Sequence, residues 1–318
     1  MSASTATRDA YGKTLVELGK ENRDIVVLDA DLSKSTKTVM FAKEFPDRFL
    51  NMGIAEQNLM GTAAGLAASG KIPFVSTFAM FATGRAFEPI RNSIAYPRLN
   101  VKIAATHAGL TVGEDGASHQ CLEDIAIMRV IPNMTVMCPA DGVETEAIVK
   151  AAAGYKGPVY IRLGRPKVPD IYVKEDYAFE WGKGVTLKDG GDVTIIATGI
   201  MVAMALEAAD DLQKNGVNAR VIDIHTIKPI DRDLIKMAAA ETGAVVTAEE
   251  HNIIGGLGSA VAEVLGELEP VPVIRVGVKD TFGESGTAEE LLIKYGLTPC
   301  CIMQAVEKSI AAKDLLKK

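Results

Sequence analysis

Short apolar runs alternate with longer mixed segments along the whole chain. Ile25-Val-Val-Leu-Asp-Ala-Asp, Ile72-Pro-Phe-Val-Ser-Thr-Phe, Val101-Lys-Ile-Ala-Ala-Thr-His, Met134-Thr-Val-Met-Cys-Pro and Val159-Tyr-Ile-Arg-Leu-Gly each read as a strand. Their near-continuous apolar character suits strands covered on both faces. Another strand is expected around Phe49. The intervening segments 8–21, 82–96 and 143–153, and the one that follows Glu56, read as helices, with a short one near Ile125. Strand and helix in regular alternation predict a parallel sheet with helices on its faces. Pro166-Lys-Val-Pro then opens a connector through Tyr172, Tyr177 and Trp181. A second unit begins at Val193-Thr-Ile-Ile-Ala-Thr-Gly, with further strands at Ala219-Arg-Val-Ile-Asp-Ile, Ala244-Val-Val-Thr-Ala-Glu and Val273-Ile-Arg-Val-Gly-Val. Its first helix, Met201 to Lys214, has Asn215-Gly216 as a stop signal. The expectation is two consecutive α/β domains with mainly parallel sheets, residues 1–188 and 189–318, the boundary falling between 185 and 190.

Composition supports this and removes some functions. With 318 residues, 48% of them hydrophobic and 24% charged, the chain can bury a large core and is not a disordered type. The net charge is −7, and no basic run precedes the C-terminal Lys-Asp-Leu-Leu-Lys-Lys. That argues against a nucleic-acid surface. No apolar run is long enough for a membrane span, and the N-terminus lacks an apolar signal core, so a cytoplasmic protein is expected. Cys121, Cys138, Cys300 and Cys301 lack metal-ligand spacing and are read as reduced thiols.

Chemistry concentrates in two places. Asn51-Met-Gly-Ile-Ala-Glu-Gln-Asn58 puts Glu56 at the mouth of a helix rich in apolar and small residues. A carboxylate there is costly to bury without a partner, and burial would make it an acid–base tool. First-turn placement, where negative charge suits the helix dipole, is the simpler alternative. The second place is the loop from His107 to His119, which holds Asp115 between Gly113 and Gly116. At the carboxyl end of a strand, two imidazoles and a carboxylate can grip hydroxyls and exchange protons near neutral pH. Local capping and pairing account for the same residues equally well.

Gly53-Ile-Ala-Glu-Gln-Asn, Phe78-Ala-Met-Phe, Thr106-His107, Gly113-Glu-Asp-Gly, Ser118-His119-Gln120 and Arg162-Leu-Gly-Arg165 occur in the order and near the spacing seen in transketolases. Thr198-Gly199, His225-Thr-Ile-Lys-Pro and Glu249-Glu-His-Asn-Ile-Ile-Gly-Gly-Leu-Gly-Ser resemble that family's C-terminal domain, so the resemblance covers essentially the whole chain. It implies a pyrimidine-binding domain followed by a transketolase C-terminal-like domain. It also implies roles. Glu56 would hydrogen-bond a ring nitrogen of the aminopyrimidine of thiamine diphosphate and favour its imino tautomer. Phe78 and Phe81 would pack on that ring, with ordinary core packing as their alternative. Asp31 would lie near the cofactor or simply end a strand. His107, Asp115 and His119 would hold the sugar's hydroxyls and carbonyl. Arg8, Ser35 and Arg165 would bind its phosphate, a role that suits the fork of donors on arginine. The family often has a tyrosine one helical turn beyond the second aromatic. Here Gly84 takes that place, and Arg85 after it is expected to reach a phosphate or pair across an interface.

A further difference is a missing motif. Full-length transketolases hold the diphosphate and magnesium (or calcium) through a Gly-Asp-Gly…Asn signature, and Asp189-Gly-Gly-Asp192 is not one. The chain therefore reads as the C-terminal subunit of a split transketolase. An N-terminal-type partner would carry that site, in an assembly of two copies of each chain. The small-residue helix Gly61-Thr-Ala-Ala-Gly-Leu-Ala-Ala-Ser-Gly70 fits close approach to a partner or packing within its own domain. Gly255-Gly-Leu-Gly-Ser259 fails the dinucleotide fingerprint, whose third glycine falls on Val261, and reads as a tight strand-to-helix entry that His251 caps or pairs with. The expected activity is reversible transfer of a two-carbon ketol unit from a ketose phosphate to an aldose phosphate. Alternatives are a deoxyxylulose-phosphate synthase-like subunit, a 2-oxo-acid dehydrogenase β-like subunit and a non-catalytic regulatory paralogue. The set His107, Asp115 and His119 favours a ketose donor, and Glu56 argues against the paralogue.

Overall fold

The structure, a computed structural model, describes residues 4–316; Met1–Ala3 and the last two lysines of the basic tail lie outside the described residues. The strands of the first half are β1 (Ser4–Ala6), β2 (Ile25–Asp29), β3 (Phe49–Asn51), β4 (Ile72–Ser76), β5 (Lys102–Ala105), β6 (Thr135–Met137), β7 (Val159–Arg162) and β8 (Lys167–Pro169). The second half adds β9 (Val185–Lys188), β10 (Val193–Ala197), β11 (Ala219–Asp223), β12 (Thr226–Lys228), β13 (Val245–Asn252) and β14 (Val273–Val278). The first sheet runs β12-β6-β7-β5-β4-β2-β3, and the second runs β14-β13-β10-β11-β9. Apart from the edge pairs β12–β6 and β11–β9, both are parallel throughout. β1 and β8 form a separate antiparallel pair. The mainly parallel α/β plan is thus present in both halves. Among the described residues, no helix is long and apolar enough to cross a membrane.

The halves are not independent. β12 comes from the second half yet forms the edge of the first sheet, where Lys228 Nζ donates to the carbonyls of Arg129 (2.7 Å) and Ile131 (2.6 Å). One apolar cluster runs from Leu28, Ile103 and Tyr160 to Ile224, Leu257 and Val264. β9 lies ahead of residue 189 and pairs with the second sheet.

The expected regular helix over 82–96 takes another form. Two π-turns, Phe81–Arg85 and Ile90–Ala95, flank a short α segment, Phe87–Pro89. Pro89 has no N–H to donate to the carbonyl four residues back. That carbonyl belongs to Arg85, and it accepts a bond from Gln57 Nε2 instead (3.1 Å). Turns of this kind often mark functional positions.

The connector docks on a buried acidic cluster. Tyr172 Oη donates to Asp223 (2.8 Å), Tyr177 Oη donates to Glu144 (2.6 Å), and Asp141 accepts the main-chain N–H groups of Ile171 and Tyr172. Burial pushes the Glu144 and Asp223 carboxyls up together, and a proton on Glu144 gives the otherwise donorless Asp223 Oδ1 its partner. The folded chain therefore holds a proton that the unfolded chain releases above about pH 4.5, so folding loses stability as pH rises from there. Thermal melts at stepwise higher pH above 4.5 should show this as a falling melting temperature. Glu144→Gln should flatten that slope, and an unchanged slope would rule out the shared proton.

Candidate active site

The site gathers at the carboxyl ends of β2, β3, β4 and β5. Its first anchor is Asp29, buried at the end of β2. Its carboxylate accepts bonds from Leu32 N (2.6 Å), Thr36 Oγ1 (2.6 Å) and Thr38 Oγ1 (2.9 Å), although burial still holds it above the usual carboxylate range. The turn so fixed carries Ser35, whose main-chain carbonyl accepts from Arg8 Nη1 (3.1 Å). The Ser35 hydroxyl makes no hydrogen bond among the described residues, so its tie to Arg8 is through the backbone. Asn51 at the end of β3 is the second anchor. Its Oδ1 accepts from Asp31 N (3.1 Å) and Gly53 N (3.0 Å), and its Nδ2 donates to Asp31 Oδ1 (2.9 Å). Asp31, with φ +62, is therefore an exposed strand-end residue that fixes the approach to Glu56.

Glu56 opens the helix Glu56–Ala68 and is buried. Arg85 Nη1 stands 2.8 Å from its Oε1, with the guanidinium 4.1 Å from the Phe81 ring centroid. Within this chain Arg85 thus pairs with Glu56. Phe81 stacks on Phe78 at 5.8 Å, and Phe78 stacks on His107 at 3.9 Å. His119, half-buried, turns its ring edge toward Phe81 at 5.2 Å and pairs with Ser118 Oγ through Nδ1 (3.0 Å). Phe78 thereby joins the carboxylate half of the site to the histidine half.

Burial, followed by the charge of Arg8, lowers the His107 imidazole to about 3. The ring is neutral at physiological pH. Arg8 Nη1 lies 3.0 Å from His107 Nε2. An arginine can only donate, so Nε2 accepts, and Nδ1–H donates to Thr106 Oγ1 (2.8 Å). Arg8 carries its charge without a carboxylate hydrogen-bonded to it, and its Nε is buried with no partner. Burial is the main influence lowering the Arg8 pKa, opposed by Asp9 and assisted by Arg165. Two guanidiniums that converge despite repulsion, one with an orphaned donor, make a cradle for an anion.

Arg165 is held by the loop opposite, donating to Val112 O and to Glu114 Oε2 (2.9 Å). Asp115, on the same loop, is exposed and forms no ion pair or hydrogen bond with His107, His119 or any other described residue. The Asp115 carboxylate is thus unengaged among the described residues. Sequence reasoning missed Asp29, Asn51 and the Arg85–Glu56 pair. Pro89, four residues after Arg85, was the one local signal of the irregular turn.

Arg162, three residues before Arg165, has a different fate. It ends β7 and turns inward to Asp124 (Nε to Oδ2, 2.9 Å) and the Glu250 carbonyl (2.8 Å), across the two halves. The Gly255–Ser259 turn is a strand-to-helix entry whose N–H groups are already taken. Glu249 accepts from Leu257 N (2.6 Å) and Gly258 N (2.9 Å), placing a carboxylate where a nucleotide phosphate would need to sit. His251 Nε2 accepts from Ala126 N (3.4 Å), so it caps the helix Asp124–Arg129. Among the described residues, no group of three or more His, Cys, Asp or Glu is arranged to hold a metal ion.

Comparison with known proteins agrees with this geometry. Residues 3–170 match the family model "Transketolase, pyrimidine binding domain", and residues 182–302 match "Transketolase, C-terminal domain". A putative transketolase C-terminal section of Methanocaldococcus jannaschii is 58% identical over 91% of this chain and 92% of its own length. A 6-deoxy-6-sulfo-D-fructose transketolase subunit of Clostridium sp. is 46% identical, covering 96% of this chain and 95% of that one. Among solved structures, a split-gene transketolase described as an inactive β4 tetramer is 63% identical, with a TM-score of 0.90 over 98% of this chain and all of that one.

Proposed function

Because the chain belongs to the transketolase family, as a C-terminal subunit built from the pyrimidine-binding and C-terminal domains, we propose that it supplies one half of a ketol-transferring active site. The observation that carries this reading is a single run of side-chain contacts. Buried Glu56, the Phe81–Phe78–His107 stack and Arg8, with Arg165 near enough to repel its charge, follow one another along it. Thiamine diphosphate, shared with a partner chain, supplies the electron sink for breaking and forming a carbon–carbon bond beside a carbonyl. Glu56 would hydrogen-bond the cofactor's ring nitrogen, and Phe81 and Phe78 would present it with an apolar face. His107 and His119 hold the sugar's hydroxyls, while Arg8 and Arg165 fix its anionic end and so orient the reacting carbon. Asp31 and Ser35 set the loops that carry these groups.

The diphosphate and its magnesium ion fall to an N-terminal-type partner chain, in an assembly of two copies of each. The similar split-gene chain, inactive as a β4 tetramer, supports a need for that partner. So does the outer face of the Glu56 helix, where Gly61 and Gly65 open onto empty space. The relative that acts on 6-deoxy-6-sulfo-D-fructose supports a donor with an anionic terminus. Copurification tests the reading. Only the mixture with a Gly-Asp-Gly-bearing partner should show magnesium-dependent cofactor binding and ketol transfer; robust transfer by this chain alone would overturn it. Within the active complex, Arg165→Ala should raise KM for a phosphorylated ketose by about 10- to 100-fold, the loss expected for hydrogen bonds to a charged group. KM for an unphosphorylated donor should change little. Equal losses on both donors would remove Arg165 from the anion site.

A further inference from the structure

Glu56 has a partner within its own chain. Arg85 offers it an N–H at 2.8 Å and lays its guanidinium on the Phe81 ring at 4.1 Å. Under the proposed function, the Glu56 carboxylate and the Phe81 ring would also receive the aminopyrimidine. A guanidinium and an aminopyrimidine are both flat, and both place N–H donors in their own plane while stacking on an aromatic face. The two would therefore compete for this carboxylate and this ring.

We infer that Arg85 is a stand-in for the cofactor ring, satisfying Glu56 in the unloaded chain and leaving as the cofactor docks. The inference rests on the proposed function. The surroundings allow the exchange. The Arg85 side chain is 51% exposed against 7% for Glu56, so the arginine has solvent to move into while the carboxylate has none. Its backbone is tethered: Gln57 Nε2 holds the Arg85 carbonyl (3.1 Å). The motion is therefore a side-chain swing on a tethered turn. In the unloaded state the pair spares Glu56 from being a buried carboxylate without a donor. In the loaded state the cofactor ring supplies that donor, and Arg85 is released to solvent.

The cost of this exchange is measurable as cofactor affinity. In the assembled complex with magnesium, Arg85→Met should lower the Kd for thiamine diphosphate about fivefold, the scale of an ion pair with one partner largely in solvent. Arg85→Lys keeps the charge but not the flat fork and should fall between. In a Glu56→Gln background, Arg85→Met should leave Kd unchanged, because the effect passes through that carboxylate. Calorimetric titration of five complexes, wild type, Arg85→Met, Arg85→Lys, Glu56→Gln and the Glu56→Gln/Arg85→Met double variant, reads all of this. An unchanged or higher Kd for Arg85→Met, or the same shift with and without Glu56, overturns the inference. A wild-type complex that binds no thiamine diphosphate would instead sink the proposed function, and the inference with it.

Discussion

Glu56→Ala should lower ketol transfer by the assembled complex ~10²–10⁴-fold, the range in which a positioned proton-transfer group contributes, with assembly intact. The expectation of intact assembly comes from what Glu56 touches. Its carboxylate has one recorded protein partner, the half-exposed Arg85, while the helix packs through Leu59, Met60, Ala63 and Ala64. Alanine costs the helix nothing in propensity and leaves that face unchanged. Steady-state turnover paired with sedimentation separates the two outcomes. Near-normal turnover in an intact complex would eliminate Glu56 as the group acting on the cofactor ring.

Arg162→Met should produce the largest loss of stability from a single change. Arg162 and Asp124 are both buried, the guanidinium meeting the carboxylate at 2.9 Å, while Tyr160 Oη donates to the same carboxylate at 2.7 Å. Burial is the largest single influence and would lower the arginine's pKa, but Asp124, joined by Cys138, Glu250 and Tyr160, raises the value above normal. Methionine fills much of the volume but strands the Asp124 charge and the Glu250 carbonyl. Breaking one side of such a pair costs about 3–5 kcal/mol, a fall in melting temperature on the order of 10 °C for a chain of this size. Adding Asp124→Leu to that variant should recover much of the loss, because the stranded charge is then gone. A melting temperature unmoved by Arg162→Met would show that solvent reaches the pair.

The parts of this molecule visible in the sequence were those written in local pattern. Apolar runs marked β2, β4, β5, β7, β10 and β11, and the helix Met201–Lys214 begins and ends where its residues and stop signal placed it. Glu56 stood out as a lone acid ahead of small apolar residues. β12 did not stand out: Thr-Ile-Lys is too short and polar to read as a strand, and its pairing partner lies about ninety residues earlier. The Asp29 turn was hidden because its three donors are common residue types whose convergence depends on tertiary folding. Residue type does not say which acid of a loop takes a partner. Asp115 and Glu114 share one polar, glycine-bracketed loop, but only Glu114 meets Arg165. Arg162 and Arg165 look like twins in sequence, yet one is structural cement and the other lines the site.

The strand Thr226–Lys228, lent by one half to the sheet of the other, also limits how such chains can be recombined. A chimera joined at the Pro-rich connector would pair an edge strand from one parent with a sheet from another, and would mismatch the two lysine-bound carbonyls at Arg129 and Ile131. The smallest piece that can be exchanged between relatives without disturbing a sheet is therefore both halves together.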